Sequence, residues 1–217
     1  MFQPSRRTLL RALAAGSLAA PLRRALATGA APAVPGLRGV RGEVRVNDRP
    51  AHAGQPVGPG DTVTTGPGAE AIYVIGDNAF LQRDSSTVRF GIDAATDFMR
   101  IVSGKLLSVF GHGDKRITVS TAVIGIRSTG CYIDETPGST YFCLCYGEAE
   151  IVPIAAPQQR EIIRTRHHDH PMVIHADPAM PKSMVPADVI NHTDAELAML
   201  ESLVGRVPPF AGTTYRR

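Results

Sequence analysis

The sequence predicts a mainly β protein: a β-sandwich or β-roll of many short antiparallel strands, with one amphipathic helix at its C-terminal end. Two observations predict the strands. Apolar residues alternate with polar ones, and Gly, Pro, Asp and Asn recur at intervals of about 8–12 residues. The third observation is a helical pattern of apolar residues, which is confined to the region 191–217.

The strand pattern begins at Gly42 and defines a β domain over residues 42–153. Its first strand places Val44 and Val46 in alternation with charged residues, as expected of a half-buried strand. Ser103-Gly104 has the composition of a two-residue hairpin turn, so we expect two separate strands on either side of it. Nothing in this region has the period of a crossover helix.

Residues 154–190 follow as an irregular arm rich in Pro and His, with room for one further edge strand at its start. Residues 191–217 then form the C-terminal helix and tail. Thr193 and Glu196 have the spacing of a capping box, and leucines at helical spacing form one apolar face. We expect this helix to dock on its own domain, because a free apolar stripe would be an exposed patch.

Residues 1–30 have the features of an export signal. Ser5 to Leu10 is a twin-arginine pattern, a weakly apolar stretch follows, and Ala25-Leu26-Ala27 is a small-x-small cleavage candidate. The alternative is a basic amphipathic helix lying on a membrane or on another protein. The apolar run falls short of the ~20 residues that span a bilayer. We therefore expect a periplasmic protein without a transmembrane segment, in which residues 31–41 form a linker.

The charge distribution argues against a nucleic-acid partner. The net charge is +3, but residues 1–30 contain five arginines and no acidic residue. The remainder carries 18 basic and 20 acidic side chains. The excess of basic over acidic side chains is therefore confined to the targeting segment. The sequence also contains no basic patch with interleaved aromatic residues.

The order of the strand and turn pieces resembles the FecR domain family over about half the chain. The pieces are a Gly-x-Val-x-Val opening, a Gly-Asp-x-Val-x-Thr-Gly element, a strand ending near an Asp turn, an Arg-Gly-Thr-like element and a final strand with a central Gly. They stand at Gly42 to Val46, Gly60 to Gly66, Ile72 to Leu81, Arg127 to Gly130 and Tyr141 to Ile151.

Typical members of that family couple a periplasmic domain, through a membrane helix, to a cytoplasmic segment that acts on a sigma factor. We expect this chain to lack both parts. The resemblance then implies an exported, non-catalytic module with a role in signalling or regulation. It would bind an envelope protein, a glycan or a small ligand, and the loops at His52 to Gly60 and Gly111 to Asp114 are candidate contact surfaces.

The three cysteines, Cys131, Cys143 and Cys145, fall in one predicted hairpin. Cys143 and Cys145 share a face, and the hairpin register decides whether Cys131 joins them. In an oxidising compartment Cys131 could form a disulfide with either of the other two. Cys143 and Cys145 are a poor pair, because same-face neighbours lie too far apart for relaxed geometry. Buried free thiols are a second alternative.

A metal site is the third alternative for these thiols. Three thiolates and an imidazole from His167, His168 or His170 would form a tetrahedral Cys₃His set for zinc, with iron as the other candidate. The twin-arginine route supports this hypothesis, because its substrates cross the membrane folded, often with a cofactor already inserted.

One enzyme hypothesis competes with the binding module. Gly111-His112-Gly113, followed by Ser128-Thr129-Gly130-Cys131, is similar to the L,D-transpeptidase family. That similarity implies acyl transfer through a Cys131 thiolate activated by an imidazole. The family's Arg shortly after the cysteine is missing, since Tyr132-Ile133 stand there. The main prediction is therefore a non-enzyme.

Overall fold

The computed structural model describes residues 33–92 and 97–212, so the predicted signal peptide lies outside the described residues. Within these residues strands dominate and one α-helix follows them, which confirms the predicted mainly β class. In the part of the chain that the structure describes, no helix is both long and apolar enough to cross a bilayer.

The described strands form one mixed sheet that branches at two places. The strands are β1 (Gly36–Arg41), β2 (Val44–Val46), β3 (Arg49–Pro50), β4 (Thr62–Thr65), β5 (Glu70–Ile75), β6 (Asn78–Gln82), β7 (Ser86–Phe90), β8 (Met99–Val109), β9 (Asp114–Thr118), β10 (Ala122–Thr136), β11 (Ser139–Pro153), β12 (Glu161–Thr165), β13 (Met172–His175) and β14 (Met184–Pro186). Their order is β14-β13-β11-β10-β9-β8-β7-β4-β2-β3, with β12 also on β11, and with β1, β5 and β6 joined in a row that ends on β8. All of these pairings are antiparallel except that of β8 with β9.

Strands extend beyond both predicted limits of the β domain. The linker expected at 31–41 contains β1, which pairs with β5 and buries Leu37. The irregular arm expected at 154–190 contains β12, the edge strand that the sequence allowed at its start, and two further strands, β13 and β14, together with a 3₁₀ turn at Pro157–Gln159. β1, β13 and β14 are short, and their apolar positions are too few to give a period-two pattern in the sequence.

The hairpin predicted at Ser103-Gly104 is wrong, because β8 runs straight through it. The first half of β8 pairs with β7, and the second half pairs with β6 and β10. Gly104 has φ +82°, and a Cβ there would lie 2.6 Å from the Cα of Ser86. The glycine therefore lets the strand pass closely over Ser86 instead of reversing the chain.

Two apolar clusters lie on opposite faces of the sheet. The inner cluster is enclosed by the sheet itself, and five of its members, Tyr73, Phe80, Phe90, Phe98 and Phe110, stack edge to face or in parallel. The outer-face cluster includes Val74, Leu81, Leu107, Val109 and Tyr146 of the sheet.

The helix α1 (Asp194–Leu203) covers the outer-face cluster. Thr193 and Glu196 form the capping box that the sequence predicts, and Leu197 and Leu200 are fully buried against the sheet. The predicted docking of the helix on its own domain is therefore confirmed.

Candidate functional site

The register of the β10–β11 hairpin separates the cysteines. Cys131 pairs with Leu144, and Tyr132 pairs with Cys143. Cys131 therefore belongs to the inner cluster, whereas Cys143 and Cys145 belong to the outer-face cluster. All three are buried free thiols. Side chains on opposite faces of a sheet cannot form a disulfide or share a metal ion, so this register unites only Cys143 and Cys145.

A β-bulge in β11 lies at Cys145. Leu144 pairs with Cys131 and Tyr146 pairs with Gly130, which leaves Cys145 as an extra residue in β11. Cys143 and Cys145 share a face through the ordinary alternation of a strand, and the bulge adds Tyr146 to that face. Bulges commonly re-aim a side chain in this way.

His168 reaches Cys145 through a gap in the pairing of β11. β13 pairs with residues 139–142 and β12 with residues 147–151, so the loop between these strands crosses the cysteines. The backbone N–H of His168 donates to the carbonyl of Cys145 at 3.0 Å. His168 has φ +51°, a left-handed conformation that non-glycine residues rarely adopt outside constrained sites.

His192 enters the site from the residues just before α1. Asn191, immediately before it, also has a left-handed φ of +57°. The ring of Tyr132 stacks on the imidazole of His192, with 4.8 Å between ring centroids. His192 is 8% exposed and the His168 side chain 9% exposed, so both rings lie beneath the surface.

Four donor atoms converge at this position, one each from Cys143, Cys145, His168 and His192, and all lie within 4.8 Å of one another. The Cys143 Sγ lies 3.5 Å from His168 Nδ1, and His192 Nε2 lies 3.0 Å from the same nitrogen. We call these four residues the Cys₂His₂ site.

The outward-facing nitrogen of each imidazole has an acceptor of its own. His168 Nε2 lies 3.1 Å from Asp194 Oδ1, and His192 Nδ1 lies 2.6 Å from the carbonyl oxygen of Ile190. Because a carbonyl or a carboxylate only accepts, each of these outward nitrogens carries the proton. In the neutral form of each ring, the nitrogen that faces the site then carries a lone pair.

The electrostatics of the site place negative charge on one sulfur. Hydrogen bonding from Cys145 lowers the pKa of Cys143, burial opposes this, and His168 and His192 lower it further, to about 4. Burial raises the pKa of Cys145 well above its usual value. Burial lowers the pKa of His168, but Cys143 and Asp194 outweigh that effect and the net pKa is raised.

His167 forms a second, more exposed group with His168 and Asp194. Its Nε2 lies 2.9 Å from both carboxylate oxygens of Asp194, whose side chain is 51% exposed. His170, the remaining histidine predicted to bind metal, lines a groove beside Met172 and Met184 and is in neither group.

The geometry that acyl transfer requires is not found around Cys131. Its thiol is fully buried, and burial raises its pKa. The imidazole of His112 lies 3.2 Å from the hydroxyl of Ser128 instead. His52 and His112 are exposed in the two loops that the sequence marks as candidate contact surfaces.

His192, a member of the Cys₂His₂ site, and Asp194, which contacts His168, were not predicted from the sequence. His192 follows His168 by 24 residues and belongs to the segment predicted as the start of the helix. Neither composition nor spacing connects these positions. The signal that could have found them is the capping sequence itself, which places His192 directly before a helix that docks on the cysteine face.

Comparisons with known proteins give only distant likenesses. No protein-family model matches the chain, and no curated protein matches it. Two crystal structures from Parabacteroides distasonis ATCC 8503, each described as a "putative anti-sigma factor", have TM-scores of 0.49 and 0.48 at 7% identity. The first match covers 64% of each chain, and the second covers 58% of this chain and 59% of that one. This chain therefore spans less than two thirds of each, and likenesses this distant carry no information about function.

Proposed function

We propose that this chain is an exported, non-catalytic FecR-like binding module that holds one thiophilic metal ion, of the zinc type, at Cys143, Cys145, His168 and His192. The observation that carries the proposal is the convergence of two sulfurs and two imidazole nitrogens within 4.8 Å. Two thiolates and two imidazoles are a common ligand set of structural zinc sites.

The distances fit a single tetrahedral ion. Bonds of about 2.0–2.1 Å from zinc to nitrogen and about 2.3 Å to sulfur imply tetrahedral edges of roughly 3.3 Å between nitrogens and 3.6 Å between nitrogen and sulfur. The corresponding distances are 3.0 Å between His192 and His168 and 3.5 Å between His168 and Cys143. Along these two edges only small movements would be needed to admit an ion, and every other pair of donor atoms lies within 4.8 Å.

The second coordination shell also fits. Metal-binding imidazoles usually donate their other N–H to a carboxylate or a backbone carbonyl, which fixes the ring and its tautomer. Here Asp194 has that role for His168, and the carbonyl of Ile190 has it for His192. A low pKa of Cys143 favours the thiolate that a metal requires.

The same contacts also resemble a nucleophile relay, with Cys143, His168 and Asp194 in the order of thiol, imidazole and carboxylate. Cys143 has no exposed surface, so a substrate cannot reach its sulfur in this conformation. Four protein ligands in a closed pocket favour a structural ion, because catalytic sites keep a position open.

The export and family parts of the proposal have separate support. The twin-arginine pattern at Ser5 to Leu10 supports export. The FecR-like pieces fall in order on β2, β4, the β5–β6 hairpin, the irregular part of β10 and β11. An envelope protein, a glycan or a small ligand remains the proposed partner of the module.

Elemental analysis of the full-length protein tests this proposal. We expect about one equivalent of zinc per chain, and Cys143→Ser or Cys145→Ser to reduce it at least about tenfold, since thiolate ligands are essential to such sites. Replacement by Co²⁺ should give the visible absorption of a tetrahedral thiolate complex.

Cys131→Ser is the matched control, because Cys131 is an equally buried thiol on the opposite face. Its metal content should equal that of the native protein. Less than about one tenth of an equivalent in the native protein would refute the metal site. Cell fractionation of the same culture tests export: the chain should be in the periplasm, and full retention in the cytosol would refute that part.

A further inference from the structure

The C-terminal segment, residues 187–212, lies over the outer-face cluster. Leu197 and Leu200 of α1 are fully buried, and Phe210 packs on the ring of Tyr146 with 5.8 Å between centroids. Without this segment the sheet would expose a contiguous apolar face that includes Val74, Leu107 and Val109. Exposed faces of that kind mark binding surfaces.

This segment depends on docking for its helical structure. α1 has only ten residues, and isolated helices of that length are marginal in water. Polar contacts hold the segment at several points. Arg83 bonds the carbonyl of Asn191 at 2.6 Å and the carboxylate of Glu196 at 2.8 Å, and Arg206 bonds the carbonyl of Asp77 at 2.7 Å.

The N-terminal end of the segment is part of the Cys₂His₂ site. His192 supplies one of the four donor atoms, and Asp194 orients His168. The other donors come from β11 and from the loop after β12, so a bound ion would join three elements. Because the ion would bind His192 together with the other three ligands, it would stabilise the docked segment relative to any state in which His192 has left the sheet.

The two imidazoles meet where the C-terminal segment contacts the loop after β12. His192 Nε2 and His168 Nδ1 are 3.0 Å apart, and the other nitrogen of each ring lies against an acceptor of its own. An ion bound by both inward nitrogens would therefore connect the segment to the loop directly.

We propose that metal binding latches the C-terminal segment onto the sheet and that loss of the ion releases it, uncovering the outer-face cluster for an amphipathic helix of a partner protein. This inference rests on the metal site proposed above. The partner chemistry follows from the present occupant, because the face is already shaped to accept an amphipathic helix whose apolar residues are Leu197 and Leu200.

Hydrogen exchange on the full-length protein tests the latch. At pH 8, chelation of the metal should increase exchange of the amides of residues 194–204 about tenfold or more, with no comparable change in the β10–β11 hairpin. Addition of zinc should restore the slow exchange. A labelled synthetic peptide of residues 188–212 should bind the chelated protein and should not bind the zinc-loaded protein.

Variants test whether retention of the C-terminal segment depends on the metal ligands. Cys143→Ser leaves the C-terminal segment intact and should show fast exchange even with zinc present. His52→Ala removes an exposed histidine far along the chain and should behave as the native protein. The peptide with Leu197→Ala and Leu200→Ala should not bind, because it lacks the buried side chains.

The outcomes distinguish the two proposals. Failure to bind zinc would refute the metal site and the latch together. One equivalent of bound zinc with equal exchange of residues 194–204 in both states would refute the latch alone. Slow exchange in the β10–β11 hairpin shows that Cys143→Ser is folded, so fast exchange at the helix in that variant reports release rather than unfolding.

Discussion

Gly104 lies where β8 changes its pairing partners from β7 to β6 and β10. Gly104 has a left-handed φ of +82° inside the continuous strand β8, and the missing Cβ leaves room for Ser86. The hydroxyl of Ser86 uses that proximity, because it accepts from the N–H of Lys105 at 2.7 Å. A side chain at this position would meet both a strained backbone and an occupied space.

We expect Gly104→Ala to lower the free energy of unfolding by about 2–5 kcal/mol, combining left-handed strain with displacement of Ser86. Gly54→Ala is the matched control. Gly54 has nearly the same φ, +83°, but nothing lies within 4 Å of its missing Cβ. It should cost about 1–2 kcal/mol from strain alone. Urea denaturation of both variants measures the difference, and equal losses would contradict the role given to Ser86.

The residues of the site were only partly predictable. Period-two spacing places Cys143 and Cys145 on one face, and the local His-rich composition marks His168. The facing pairs keep one register from the turn at Pro137-Gly138 as far as Cys131 and Leu144, and this register puts Cys131 on the opposite face. The sequence left the register of that turn open, so it could not fix the face that Cys131 takes. His192 comes from a distant segment, whose approach to the sheet is set by tertiary packing that leaves no signal in local spacing.

The helix α1 docks through a buried polar contact as well as through leucines. Glu201 is 3% exposed and accepts hydrogen bonds from the hydroxyl of Tyr146 and from Arg206 Nε, the latter at 2.6 Å. Arg206 also reaches the carbonyl of Asp77. A buried carboxylate is tolerated because both oxygens have donors, so removal of one donor leaves an uncompensated charge.

Arg206→Ala should therefore reduce stability by about 2–3 kcal/mol, less than for a fully buried pair because the Arg206 side chain is 29% exposed. Arg164→Ala is a suitable comparison, since Arg164 bonds Glu148 at 2.7 Å with 73% of its side chain exposed. That variant should lose no more than about 1 kcal/mol. Chemical denaturation measures both, and similar losses would show that burial of Glu201 is unimportant.

Elements with strong local patterns were predictable, and those defined by distant partners were not. The capping box and leucine spacing predict α1 because both signals lie within one helix. β1 was assigned to a linker because its strand character comes from pairing with β5. The sequence predicted two strands in place of β8, because Ser103-Gly104 has the composition of a hairpin turn. The continuous strand depends on pairing with β7 on one side of Gly104 and with β6 and β10 on the other.

The described part of the chain has an inner cluster on one face of the sheet and an outer-face cluster that the C-terminal segment covers. The Cys₂His₂ site lies at the junction of that segment with β11 and the loop after β12. Its ligands come together only in the folded state, so an ion bound there should stabilise the folded chain by mass action. The amount depends on the free metal concentration.

We expect zinc at about 100 times its dissociation constant to stabilise the protein by about 2.7 kcal/mol. For a chain of this size that corresponds to a rise in Tm of about 5–11 °C, reduced somewhat because unfolded Cys and His also bind zinc. Thermal unfolding followed by circular dichroism measures the shift. Cys145→Ser should abolish it and Cys131→Ser should retain it, since only Cys145 faces the site. An equal rise in both variants would place the zinc elsewhere on the chain.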